Sequence, residues 1–394
     1  MNSEALYEQF EQRLADPKSA MDFLEEHFRE SGNGHRLFEV LKMRTRWGLG
    51  LPLMALPAEQ HPADLSQKLE DGLIAACREV AELYFGDGNL VDGWTYLHPV
   101  GDDQLSSRLL QSVVVDETNS AAVIDVCFYQ GVLPGYGYRT LLQRMGTCDG
   151  ITAFDMHAMQ FDRTVVAELA SVLLNHFHEE LLTNVITNVK ESKFEVTSGA
   201  SLGQLLDEHL WLVTEGGHHV DATHLASVVR IAKQTVDKED HRKALELCRY
   251  GRRLPADFHF KSDPPFESIY IDHEQFFQAL VGENREQALA WFADKVVQHQ
   301  GDMHEPVAIE VLIDLQVRAG QRDEAVATMT EKMWGFFNKG EVPGSVFDVA
   351  RTQKQFEMLS EKFQSHEDFA GFAFARLCGS FAEVTGTKKD PPPK

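Results

Sequence analysis

Apolar residues recur along this chain with the spacing of a helix surface. Leu225, Val228, Val229 and Ala232 fall at i, i+3, i+4 and i+7, one stripe of a helix. Ala244, Leu247, Cys248 and Gly251 repeat the pattern beyond a turn that holds Asp237 and Asp240. Asp221 is suited to cap the first helix, because its carboxylate can accept from the free amide of Thr223 or His224. Pro255 ends the second, having no amide hydrogen and a ring that clashes with the preceding turn. Residues 216–255 therefore read as one complete helix–turn–helix unit.

The rest of the chain follows the same plan. Residues 3–53 predict two or three short helices, with stripes at Phe23, Leu24, His27 and Phe28 and again from Leu37 to Leu41. Pro52, Pro57 and Pro62 mark a linker. A second helix pair follows, with a stripe at Ala76, Val80, Leu83 and Tyr84, a turn at Gly86 and Gly88, and a stripe from Trp94 to Leu97 before Pro99. SAAVIDVCFYQG (120–131) reads as a helix capped by Asn119, and VLPGYGY (132–138) as an irregular connector. Arg163–Val189 predicts a long helix, apolar round much of its circumference and therefore deeply buried. Two further pairs occupy 272–296 and 306–334, and a last helical stretch runs from Phe347 to Val384. The domain reading is N-terminal helices at 1–53, a helical-repeat region at 63–160, a second at 161–384, and a disordered tail at 385–394 that lacks apolar anchors.

Small residues recur where such helices would touch. Ala232, Ala244 and Gly251 allow two axes to approach toward the lower end of roughly 8–10 Å. Gly93 and Ala325 fall at matching points of other pairs, and Gly320 with Glu324–Ala325 forms a compact turn. With Pro99 and Pro255 after second helices, these features resemble the tetratricopeptide family over about four segments, under half the chain. Thr235 and Glu239 stand where that family usually has an aromatic and a glycine. Ile313 and Lys332 depart from its small residues. The resemblance implies an all-α fold of stacked antiparallel helix pairs forming a tetratricopeptide-like α-solenoid. It also implies a binding or scaffold protein that holds a protein or peptide segment on a concave surface.

Charge narrows the partners. Among 394 residues, 37 are basic and 61 acidic, a formal net charge of −24. Non-specific binding to nucleic acid or to an anionic membrane is disfavoured, and a basic partner or a dissolved cation is favoured. No apolar run approaches the roughly 20 residues that span a bilayer. The opening MNSEALYEQFEQRL reads as an acidic amphipathic helix rather than a signal peptide. Five dispersed cysteines without a CxxC suit a reducing, cytoplasmic setting.

Chemistry is expected in two places. His176, Glu179 and Glu180 lie one turn apart on the long helix, and His218, His219, Asp221 and His224 sit at the start of the central unit. Two such segments meeting face to face would hold a divalent transition metal such as zinc, iron or manganese. That would make the protein a metal-dependent enzyme or a metal carrier. The favoured reading of the same residues is plainer: a cap (Asp221), a first-turn histidine (His224) and a packed, hydrogen-bonded one (His176). Ser201 within GASLG matches GxSxG, but with Gln204 it reads as a capping box opening a helix. Phe258, His259, Phe260, Phe266 and Tyr270 form an aromatic loop that either packs or lines a pocket. Lys42, Arg44 and Arg46 read as a solvated basic face paired to nearby acids.

Overall fold

The expected periodicities become helices throughout the computed structural model, which describes residues 3–56, 59–214, 218–337 and 342–385. Among these residues there is no strand, only an isolated antiparallel bridge between Lys261 and Ser268. The protein is all-α. The chain divides into two compact units, Met1–Val165 and Val166–Lys394.

The first unit contains α1 (Ser3–Glu11), α2 (Pro17–Glu30), α3 (Gly34–Gly48), α4 (Ala63–Gly86), α5 (Leu90–Leu97), α6 (Asp103–Ser112), α7 (Ser120–Ile124) and α8 (Pro134–His157). Neighbours in sequence pack on one another, α2 on α3, α3 on α4 and α4 on α5. Leu37, Leu41, Ala76, Val80 and Tyr84 form the core of α3 and α4. Gly93 is buried in α5, where a Cβ would come within 2.8 Å of the Phe85 ring. The basic residues of α3 are paired: Arg44 with Asp22 and Glu25, Arg46 with Glu59 at 2.8 Å, and Lys42 with Glu39 at 2.7 Å.

Two local expectations are corrected here. Asn119 does not cap α7 with its side chain; its Oδ1 accepts from the Asp116 amide and its Nδ2 donates to the Val114 carbonyl, closing the preceding turn instead. VLPGYGY is a connector only at Val132 and Leu133; from Pro134 onward it is the start of α8. Gly137 serves packing. A Cβ on Gly137 would lie 2.5 Å from the Phe128 amide, so only glycine lets α8 lie against the π-helical turn Asp125–Tyr129.

The second unit contains α9 (Arg163–Glu191), α10 (Leu202–Glu208), α11 (Trp211–Thr214), α12 (Ala222–Ala232), α13 (Lys238–Arg253), α14 (Ile269–Val281), α15 (Arg285–Gln298), α16 (Glu305–Arg318), α17 (Arg322–Thr328), α18 (Gln353–Ser365) and α19 (Phe369–Thr385). From α12 onward each helix packs on the next, and α14 also touches α12 and α16. Ala232, Ala244 and Ala325 are fully buried. Gly251 is buried too, but it faces the Tyr270 ring of α14, so it brings successive pairs together rather than the two helices of its own pair. α9 buries residues around much of its girth, from Ala167 to Val189. Among the described residues no helix is long and apolar enough to cross a membrane. All five cysteines are free thiols. The tail expected at 385–394 lies, from residue 386, outside the described residues.

Candidate functional site

The two segments expected to hold a metal do meet, but through other residues. His176 is half-buried on α9, while Glu179 and Glu180 are exposed. The contact to the 218–224 segment falls further along α9, where Asn184 Nδ2 donates to the His219 carbonyl at 2.8 Å and Asn188 Oδ1 lies 3.1 Å from His219 Nε2. Twelve residues separate His176 from Asn188, about 18 Å of helix rise. His219 Nδ1 is 3.0 Å from the Tyr250 hydroxyl, so both ring nitrogens are committed to hydrogen bonds. Burial, with a smaller push from His218, holds its pKa below the ordinary histidine value. His218 is exposed against the Phe258 ring. Asp221 caps α12 by accepting from the amides of Thr223 at 2.7 Å and His224 at 3.2 Å. His224 sits half-buried in the first turn. Among the described residues no group of three or more His, Cys, Asp or Glu side chains is arranged to hold a metal ion.

The histidine of α9 that joins another helix is His178. Its Nε2 is 2.8 Å from Glu246 Oε2 on α13. Burial pulls the Glu246 pKa upward, but hydrogen bonds from His178 and from the Gly203 amide outweigh it and leave the carboxyl below its ordinary value. Ser201 and Gln204 form the reciprocal capping box of α10. GASLG is thus a helix start.

The concentrated chemistry lies where α12, α14 and α16 meet. α12 runs out at Ala232, leaving C-terminal carbonyls without intrahelical partners. Thr235 Oγ1 donates to the Ala232 carbonyl at 2.8 Å, which accounts for a polar residue where the helical-repeat pattern has an aromatic. Arg318, at the end of α16, reaches across and donates to the carbonyls of Lys233 at 2.7 Å and Thr235 at 2.6 Å. Its guanidinium also lies over the Phe276 ring, 5.2 Å from the centroid. His241 Nε2 sits 3.1 Å from both the Thr235 carbonyl and Arg318 Nη2.

Lys233 stands at the centre of this cluster. Its ammonium lies 4.7 Å from the centroid of the buried Phe266 ring. Among the described residues it makes no hydrogen bond and no ion pair; Asp314 acts on it through space only. Burial lowers its pKa, Arg230 adds to that, and Asp314 opposes it. Phe266 stacks in turn on His273, 4.3 Å between centroids. His273 Nδ1 is 2.7 Å from the Ile269 carbonyl, which makes Nδ1 the N–H donor and leaves Nε2 with its lone pair. That nitrogen is buried without a partner, and burial pushes the ring's pKa down to about 3.

The arrangement is a part-buried cationic cluster with aromatic walls and one unfilled hydrogen-bond acceptor. An anion placed beside Lys233 would meet an ammonium that has no carboxylate partner among the described residues. Sequence reading passed over Lys233, His273 and Arg318. A lysine or arginine ending a helix is the ordinary complement to its dipole, and only the fold brings two such ends, α12 and α16, to one place. Phe266 was in the expected aromatic loop, and it is buried at 4% exposure.

Neither family models, curated proteins nor solved structures give a match to this chain.

Proposed function

We propose that the protein is a binding module, built as a tetratricopeptide-like α-solenoid, that holds an anionic group of a peptide, protein or small ligand between its first-in-pair helices. The solenoid reading is supported by serial packing from α12 to α19, by the additional contacts of α14 with α12 and α16, and by the burial of Ala232, Ala244, Gly251 and Ala325. The binding reading rests on one observation above all. Lys233 is drawn out of water onto an aromatic ring, beside other cations, and no carboxylate pairs with it among the described residues. A desolvated, unpaired cation costs stability, and a ligand anion removes that cost. This is the usual physical signature of a site kept for something else.

A thermal-shift and calorimetric screen tests it, using carboxylate and phosphate compounds together with peptides of acidic, neutral and basic composition. Anionic probes should raise the melting temperature of the wild-type protein and leave Lys233→Met unmoved. If only basic or neutral probes bind, or if Lys233→Met binds anions as the wild type does, the site is not the one described.

A further inference from the structure

α19 buries its small side chains and exposes its large ones. α19 turns its small residues inward: Gly371, Ala375 and Gly379, at i, i+4 and i+8, are buried on α18. A Cβ at Gly371 would enter the Phe363 ring, and one at Gly379 would come 3.1 Å from Phe356 Cβ. The large residues face out. Phe374 is 58% exposed, Leu377 57% and Phe381 61%. With exposed Ala370 they follow a spacing of four, three and four, the a/d seam of a helix that meets another helix lengthwise.

We propose that this seam is the interface between two copies of the chain, joined by a two-fold axis that sets α19 antiparallel to its counterpart near Leu377. Two features favour a second copy over other occupants. The chain carries −24, so two copies repel over most of their surface, yet α19 contains one arginine and one glutamate and is neutral. The seam is self-complementary: reversal about the point between Leu377 and Cys378 sets Phe374 of one copy on Phe381 of the other, as an isologous contact requires. At about 150–250 Å² per aromatic side chain, the exposed parts of Phe374, Leu377, Phe381 and the adjoining Phe369 supply roughly 400–500 Å² per copy. Two copies with a polar rim then reach the ~1,000 Å² total that a specific interface needs. This proposal does not depend on the anion site.

Sedimentation velocity of the full chain across a concentration series reads the outcome. The wild type should move from monomer to dimer mass as concentration rises. The triple variant Phe374→Ser, Leu377→Ser, Phe381→Ser should stay monomeric with an unchanged helical circular-dichroism spectrum. Cys378, exposed beside Leu377, reports on the unaltered seam. A bismaleimide should link Cys378 to Cys378 in the wild type, identified by peptide mass, and Cys378→Ser should abolish that product. A wild type that remains monomeric at every concentration, or a dimer without the Cys378 link, overturns the proposal.

Discussion

Lys233 and His299 are two cations treated in opposite ways by the fold, and each makes a prediction of its own sign. Lys233 loses water and gains only an aromatic ring and a distant carboxylate, so its folded pKa lies below the ordinary 10.5. The folded state then binds its proton less tightly than the unfolded state, and the charged side chain costs stability at neutral pH. That cost fades only as pH rises from the lowered value toward 10.5. Lys233→Met should therefore raise unligated stability by roughly 0.5–1 kcal/mol in urea denaturation while removing anion binding. His299 is held by Asp302 at 2.9 Å and Glu267 at 2.8 Å. The bond to Asp302 chiefly, opposed by partial desolvation and aided by Glu267, raises its pKa above 6.5. Its contribution is complete below 6.5 and disappears as pH climbs through the raised value. Proton NMR should show this ring titrating above 6.5. The fall in stability on going from pH 6 to pH 9 should be smaller in His299→Gln than in the wild type; an equal fall in both would refute the assignment. The Glu267 end matters structurally, because Glu267 also holds Lys295 at 2.5 Å, and Lys295 with Trp291 serves the fully buried Asp272.

At the scale of elements, the helices were legible and their partners were not. A repeat of 3.6 marked α9 and α12 to α17 closely, and the caps at Asp221, Ser201 and Pro255 followed from residue type alone. The small residues were recognisable as contact points, yet Gly251 serves the contact to α14 rather than to α12, since spacing along one helix does not say which neighbour arrives. VLPGYGY misled because glycine and proline have two uses, turning a chain and thinning a helix, and only the neighbour at Phe128 decides between them. The cationic cluster was hidden for a similar reason: Lys233, His273 and Arg318 come from three helices, each unremarkable in its own segment. Two substitutions test the packing itself. Gly251→Ala drives a methyl into the Tyr270 ring and should cost about 1–3 kcal/mol, the usual range for overpacking. Arg318→Ala strips a charged donor from the carbonyls of Lys233 and Thr235 and should cost about 2–3 kcal/mol. Chemical denaturation measures both. Gly251→Ser should be no better tolerated than alanine, whereas Arg318→Lys, able to reach one carbonyl, should recover part of the loss.

At the scale of the whole molecule, the proposed anion site sits on a chain whose net charge repels anions. The net charge of −24 sets the field an approaching ligand meets at long range, and the Lys233 cluster governs the last few ångströms. These distances respond differently to salt. The Debye length falls from ~30 Å at 0.01 M to ~8 Å at 0.15 M ionic strength, so salt erases the long-range repulsion first. Contacts with the part-buried cluster are screened much less. For an anionic ligand the association rate should therefore rise as salt is added through this range, with the dissociation rate changing little. A basic partner attracted by the net charge would behave oppositely, its association slowing as the steering field is screened. Stopped-flow or surface-based kinetics across this salt range separate the two for any ligand the screen yields. Because Lys233→Met leaves the global field almost untouched, it should shift the dissociation rate and leave the salt slope of association in place. A basic ligand whose association falls with salt and whose dissociation ignores Lys233 would move recognition away from the α12–α14–α16 junction to the acidic surface.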